Sequence, residues 1–322
     1  MNGGKIPQAV AAGIASALCG FSFFIGGPLA VLLSLVAAVP LYMVGLSLGP
    51  AYALLGAAAG TVLVAVLWLP TLPVFLLMMA IPAVVLSWAA LTPLDLNGSG
   101  TAQRPESGAL LALIVGYAIA IITVAGFAFA GHEGGLTGLM LATMREPLQE
   151  LMSAMDVGTS PEEVEMLAEY MAMSLPAAFA VYWVVWTIAN IGIANALLRR
   201  LGTTLRTDFN VLTVTPPAWT SIAFVGLVAV SFVAETTLEG SVTAMVARNA
   251  VILMVLIFFL VGVSVVHVIT IGRPARGLIL TLFYGLVLVS VWLALVVAGL
   301  GIIEQWARLR EKTLRNRPDE ED

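Results

Sequence analysis

Charged residues are scarce in this chain of 322 residues: they make up 10% of it, against about a quarter in an ordinary soluble domain. Hydrophobic residues make up 60%, and apolar runs long enough to cross a bilayer recur from one end to the other. The alternating ten-residue segments that are typical of an outer-membrane barrel are missing. The composition therefore predicts an all-α polytopic membrane protein with about eight (eight to nine) transmembrane helices.

The residues that build common catalytic and metal sites are equally rare. Cys19 is the single cysteine, which excludes a disulfide framework and a thiolate metal cluster. His132 and His267 are the two histidines, and no HExxH, GxSxG or phosphate-binding loop occurs. No basic patch indicates a nucleic-acid partner. We therefore expect no enzymatic activity, no cofactor and no metal site.

Apolar segments of about 20 residues mark the candidate spans. They are 7–25, 28–47, 50–69, 72–91, 108–130, 174–198, 217–235, 248–270 and 278–300. The first four follow one another through short Gly- and Pro-containing turns. The predicted organisation is a four-span block (1–91), a polar loop (92–107), a C-terminal membrane block (108–303) and a charged tail (304–322).

Residues 131–173 are the one sizeable segment that we predict to lie outside the membrane. Leucines and methionines recur there at three- and four-residue spacing, which indicates an amphipathic helix with a kink at Pro147. Ser160 and Glu163 have the spacing of a capping box, so a second short helix should start there and run toward the span at 174. The segment contains eight acidic residues and a single base, Arg145.

The basic residues set the expected topology. A cytoplasmic N-terminus places most arginines on the cytoplasmic side and the acidic segment outside. Nine full crossings would put the five bases of the tail outside, against the rule. We therefore expect eight full crossings of the bacterial cytoplasmic (inner) membrane, with 217–235 or 278–300 lying partly across it and a cytoplasmic C-terminus.

The span at 174–198 carries the most informative polar side chains. Tyr182, Trp186 and Asn190 share one helical face, and Asn195 follows about a turn later. An asparagine in hydrocarbon needs a hydrogen-bond partner, either on another helix or on a ligand. These four residues and His267, near the end of span 248–270, are the predicted ligand contacts. The alternative is hydrogen bonding between helices, with Tyr and Trp filling the bundle.

Small residues recur at four-residue spacing in the N-terminal block, which lets helix backbones approach closely in lipid. This pattern predicts either close helix packing or an interface with another membrane protein. The residues are Ala9, Gly13, Ala17, Gly45, Gly49, Gly56 and Gly60.

The stretch AAVPLYMVGLSLGPAYALLGAAAG, residues 37–60, resembles the proline-then-GP..G...G stretch of S-components. These are the substrate-binding membrane subunits of energy-coupling-factor transporters for vitamins and metals. The spacing of Ala9, Gly13 and Ala17 is similar to the face by which S-components dock on their coupling protein. Span count, length and acidic insertion are similar to the YybS-like family of bacterial membrane proteins. An S-component has six spans and about 200 residues, so this chain departs from that pattern.

Two functions remain open at this point. The resemblance implies a transport-related protein with an S-component-like bundle, which binds a small solute and has no catalysis of its own. Its partners would be the lipid bilayer and a membrane coupling protein with ATPase subunits. The alternative is a non-transporting scaffold or regulatory partner of an envelope or division complex.

Overall fold

The structure, a computed structural model, describes residues 4–93, 104–154, 160–203, 205, 214–238 and 240–315. These residues form helices and connecting turns and contain no β-strand, so the predicted fold class is confirmed. Most of the predicted polar loop, residues 94–103, and the end of the predicted tail, residues 316–322, lie outside the described part of the chain.

The α-helices of the described residues are numbered here in chain order. They are α1 (Lys5–Phe21), α2 (Pro28–Leu35), α3 (Val39–Leu48), α4 (Pro50–Leu67), α5 (Leu72–Phe75), α6 (Ile81–Leu91), α7 (Ser107–Ala128), α8 (Gly135–Ala154), α9 (Pro161–Leu201), α10 (Trp219–Thr237), α11 (Val242–Ile269), α12 (Arg276–Val289), α13 (Val291–Ala307) and α14 (Leu309–Arg315). Short 3-10 turns cover Ser22–Phe24 and Leu69–Thr71, and a π-helical turn covers Leu76–Ala80.

Eight helical segments among the described residues are long and apolar enough to cross a membrane. They are Lys5–Phe24, Pro28–Leu48, Pro50–Leu67, Leu69–Leu91, Ser107–Ala128, Glu162–Leu201, Trp219–Thr237 and Val242–Ile269. The ninth predicted span, 278–300, is not one helix, because α12 and α13 meet at a bend of 117°.

Glycine and proline place the turns between the first spans. Pro50 is the first residue of α4. An N–H at this position would have no partner within the helix, so the lack of one in proline costs no helical hydrogen bond. Gly49, directly before it, has a φ of 107°, a conformation that a residue with a Cβ rarely adopts. The Gly49-Pro50 pair therefore ends one span and starts the next within two residues.

The chain divides into two compact units. The first comprises Met1–Ile114 and Trp183–Val211, and the second comprises Val115–Tyr182 and Leu212–Asp322. Both α7 and α9 contribute residues to each unit. The predicted block 1–91 lies within the first unit, whereas the predicted block 108–303 is shared between the two.

The core of the first unit brings α1 and α4 into backbone contact. A Cβ on Gly13 would overlap the carbonyl of Gly56, and a Cβ on Gly60 would lie 2.8 Å from Gly13 O. Ala9 and Ala17 on the same helix are fully buried. The small residues of α1 and α4 thus pack against each other inside the unit.

The same kind of contact in the second unit joins α11 and α13, and nothing in the sequence analysis pointed to it. A Cβ on Gly262 would overlap the carbonyl of Val297, and a Cβ on Gly301 would overlap the carbonyl of Phe258. Both glycines are buried. These two helices therefore cross at backbone contact.

The predicted acidic insertion forms a pair of packed helices in the second unit. Leu148 of α8 packs with Val164 and Ala168 of α9. The expected second short helix is instead the first part of α9, which continues without a break for 41 residues. The capping box is present: Ser160 N–H donates to Glu163 Oε2 (2.7 Å), and Glu163 N–H donates to Ser160 Oγ (3.2 Å).

An exposed ion pair links the two helices of this insertion. Both Nε and Nη2 of Arg145 donate to the carboxylate of Glu165, with Nε–Oε1 at 3.0 Å. This hydrogen bond and the charge of Glu165 raise the pKa of Arg145 above its ordinary value. The single base of the insertion is therefore held between its two helices, and the remaining acids carry its surface charge.

Candidate functional site

Two of the predicted ligand contacts meet on a backbone carbonyl in the first unit. Leu35 is the last residue of α2. In a regular helix its carbonyl would accept the N–H of Val39, but this N–H donates to Val36 O, so the carbonyl of Leu35 is left without a helical donor. The indole N–H of Trp186 and the amide Nδ2 of Asn190 both donate to Leu35 O, the latter at 3.1 Å. In lipid a freed carbonyl needs such a partner, so these side chains stabilise the break between α2 and α3.

A second indole on α9 serves another helix break in the same unit. Pro82 lies four residues after Met78 and has no N–H to donate to its carbonyl. The Nε1–H of Trp183 donates to Met78 O at 3.0 Å, beside the π-helical turn Leu76–Ala80. Trp183 therefore supplies the hydrogen bond that Pro82 cannot make.

Asn249 has the corresponding role in the second unit, where α9 contains Pro176. Its Oδ1 accepts the N–H of Ala177 at 2.7 Å, and its Nδ2 donates to Met173 O at 3.1 Å. In a regular helix this N–H and this carbonyl would bond to each other. Asn249 is fully buried and bridges them from α11. The sequence signal was present, a proline inside one span and an asparagine inside another, but the sequence alone does not show that they meet.

The remaining predicted ligand contacts lie elsewhere. Tyr182 belongs to the second unit and its side chain is 58% exposed. His267, also in the second unit, lies 2.7 Å (Nε2) from the hydroxyl of Tyr284 on α12. Asn195 is buried in the first unit. The structure therefore brings Trp186 and Asn190 together and places Asn195 in a different environment.

Asn195 lines a cavity inside the first unit, and sequence reasoning missed the other two polar residues there, Tyr42 and Ser87. The rest of the lining is apolar: Leu46, Leu86, Ala90, Leu110, Ile114 and Ile191. Water-sized spheres fit in about 20 Å³ of this cavity, which is room for about one water molecule. Ser87 is fully buried, and its Oγ has no hydrogen-bond partner among the described residues.

Gly45 sets the distance between α3 and α6 at this cavity. A Cβ at this position would overlap the hydroxyl of Ser87. The hydroxyl group therefore lies directly against the backbone of α3, next to the stretch that carries Tyr42 and Leu46. A larger residue at position 45 would displace Ser87 from the cavity wall.

Two pairs of oppositely charged side chains in the second unit lie near the ends of spans. Nε and Nη2 of Arg248 donate to the two carboxylate oxygens of Glu235, at 2.8 and 2.6 Å. Glu304 and Arg310 form a second pair near the end of α13. Among the described residues, no three His, Cys, Asp or Glu side chains come together as a metal site, and His132 is exposed beside Phe129.

Comparison with known proteins gives one match. The family described as "Predicted membrane protein (DUF2232)" matches residues 13–304, which covers all eight candidate spans except the start of the first. No curated protein and no solved structure matches the chain.

Proposed function

We propose that this chain, which belongs to the DUF2232 family of predicted membrane proteins, is a transport-related protein that binds a small polar solute and catalyses no reaction of its own. The observation that carries the proposal is the cavity of the first unit, with Tyr42, Ser87 and Asn195 in its wall. Buried polar groups within a membrane bundle are costly, and they are candidates for a functional site by default.

The chemistry of the lining indicates the class of solute. The surface of the cavity itself is almost entirely apolar, and the three polar side chains around it carry no formal charge. The apolar remainder of the wall would cover the less polar part of the molecule.

The size of the cavity limits what binds in this state of the bundle. About 20 Å³ accommodates one water molecule, so a vitamin-sized solute needs the helices around the cavity to separate. The side chains of Trp186 and Asn190 are already bonded to the carbonyl of Leu35, where they hold the α2–α3 break. We therefore place solute contact at Tyr42, Ser87 and Asn195, of which only Asn195 was among the five ligand contacts predicted from the sequence.

Ligand-dependent thermal stabilisation tests the site. The purified protein is heated in detergent with a panel of small polar metabolites, and wild type is compared with Ser87→Ala and Asn195→Leu. The control variant is Ser47→Ala, because Ser47 bonds only to the carbonyl of Met43 in its own helix. A metabolite that stabilises wild type and the control but neither cavity variant supports the site. Equal stabilisation of all four proteins would show that the site lies elsewhere.

Native mass spectrometry of the gently extracted protein tests the wider proposal. A retained small molecule, or a coupling protein with ATPase subunits, would support transport across the bacterial cytoplasmic membrane. Recovery with a different membrane protein and without a small molecule would favour the scaffold alternative. That alternative rests on the α8–α9 insertion, because its exposed acidic side chains would attract a basic partner.

A further inference from the structure

The helix α12 is too short to cross a membrane, and α13 is at the lower limit of the length that a crossing needs. They contain 14 and 17 residues, which correspond to about 21 and 26 Å of helix. A crossing needs about 20 residues and 30 Å of hydrocarbon thickness. The two helices also change direction by 117° at Ser290. Together they form either a strongly bent crossing or a hairpin that turns back inside the bilayer.

The start of this hairpin lies at the C-terminal end of α11. A short turn separates Ile269, the last residue of α11, from Arg276, the first residue of α12. The contact between His267 and Tyr284 places the middle of α12 near the last turn of α11. The chain therefore enters the hairpin from the side at which α11 ends.

The C-terminal end of the hairpin also lies near the C-terminal end of α11. Three residues after α13 ends, Arg310 Nη1 donates to Ser264 Oγ (3.1 Å), close to the end of α11. It also donates to Val214 O (3.0 Å), just before α10 begins. The start of α10 lies beside the end of α11, because a short turn joins the two helices and the rings of Phe224 and Phe258 are 5.2 Å apart.

An ion pair between Glu304 and Arg310 holds the chain that follows α13 in this position. Nε of Arg310 donates to Glu304 Oε1 at 2.8 Å, and the backbone N–H of Leu309 donates to Glu304 Oε2 at 2.7 Å. The two charged side chains are 13% and 6% exposed. Arg308, in the left-handed conformation (φ 46°), reverses the chain between them. Each charge is thus paired and hydrogen-bonded, as a buried pair requires.

We infer that α12 and α13 form a re-entrant hairpin, which enters and leaves the membrane on the side of residues 270–275, and that the Glu304–Arg310 pair latches its returning end. The tail then lies on the same side as Arg273 and Arg276, opposite the acidic α8–α9 insertion. This arrangement removes the conflict with the positive-inside rule, because the bases of the tail join the other cytoplasmic bases. It is independent of whether the first unit binds a solute.

Single-cysteine labelling tests the topology. In a Cys19→Ser background, one cysteine is introduced at Glu162, Arg273, Ser290 or Glu311. A membrane-impermeant maleimide is then added to intact spheroplasts and to inverted vesicles. We expect Arg273→Cys and Glu311→Cys to react from one face and Glu162→Cys from the other. Reaction of Glu311→Cys from the face of Glu162→Cys would overturn the inference, since α12 and α13 would then cross the membrane.

The variant at the bend gives a second readout. Ser290→Cys should react from neither face in the membrane and should react after detergent denaturation. Reaction from the face of Glu162→Cys would show that α12 reaches the opposite surface, which a re-entrant hairpin does not do.

The latch is tested in the Ser290→Cys protein. Glu304→Gln should raise the labelling rate of this cysteine about tenfold or more, because labelling follows the population of the opened hairpin. Glu311→Gln, which removes an exposed ion pair with Arg308, is the matched control and should leave the rate unchanged. An unchanged rate in Glu304→Gln would refute the latch.

Discussion

Replacing Asn249 by alanine should destabilise the second unit by opening the turn of α9 that contains Pro176. The substitution removes three hydrogen bonds: from Ala177 N–H (2.7 Å), to Met173 O (3.1 Å) and to Met245 O (2.8 Å). Two of them join α11 to α9. The third lies within α11, whose own ladder already satisfies that carbonyl.

The magnitude follows from the two bonds between helices. Such bonds in membrane proteins contribute on average about 0.6 kcal/mol each, with a maximum near 1.7 kcal/mol. The N–H of Ala177 is left in an apolar environment beside the proline kink, and an unsatisfied group of this kind costs about 1–3 kcal/mol. Since Asn249 is fully buried, the missing side chain also leaves a small void. We expect a loss of about 2–3 kcal/mol in the free energy of unfolding.

Reversible unfolding in mixed micelles, or steric trapping in bicelles, measures this loss. Thr236→Ala is the control, because Thr236 is exposed on α10 and bonds only to carbonyls of its own helix. A second comparison uses Pro176→Ala, which allows this turn of α9 to form its regular backbone hydrogen bonds. In that background Asn249→Ala should cost less than in wild type. A loss equal to that of Thr236→Ala, or equal losses in both backgrounds, would refute the bridging role.

Three further substitutions test other contacts by the same unfolding measurement. Gly13→Ala should cost about 1–3 kcal/mol despite the better helix propensity of alanine, because its Cβ overlaps the backbone of α4, whereas Gly116→Ala, with open space around it, should be neutral or stabilising. Trp186→Phe should cost about 1–2 kcal/mol, since it removes one of two donors to the carbonyl at the α2–α3 break, and no loss would contradict that role. Glu304→Gln should cost about 2–4 kcal/mol, because it leaves the charge of Arg310 buried without its partner; a loss below about 0.5 kcal/mol would indicate an ordinary surface pair.

The spans could be predicted from the sequence because hydropathy and length decide them. Eight of the nine predicted segments correspond to the candidate spans, and the turn at Gly49-Pro50 lies where proline and glycine place it. The ninth segment, 278–300, is one of the two that we expected to cross only partly, and it is divided between α12 and α13. Composition reports how apolar 278–300 is, but the bend at Ser290 depends on how α13 packs against α11.

The candidate site was harder to predict, because periodicity places side chains on a helix face without showing what they meet. The helical face with Tyr182, Trp186 and Asn190 is consistent with a pocket or with packing against another helix. The structure shows that Trp186 and Asn190 meet the carbonyl of Leu35, which is left without its regular helical donor by the break before Pro40. The cavity around Ser87 left no periodic signal, since a serine and a tyrosine on different helices carry none.

The proline-linked breaks suggest a way to separate structural polar residues from functional ones in this chain. A proline inside a span frees a carbonyl about one turn earlier, and a polar side chain on a neighbouring helix must satisfy it. Trp183, Trp186 and Asn249 each bond to the backbone within five residues of a proline in a span. Ser87 and Asn195 line a cavity instead, and no proline-linked break accounts for their burial. Polar side chains without a break to stabilise are therefore the ones at which solute binding should be tested first.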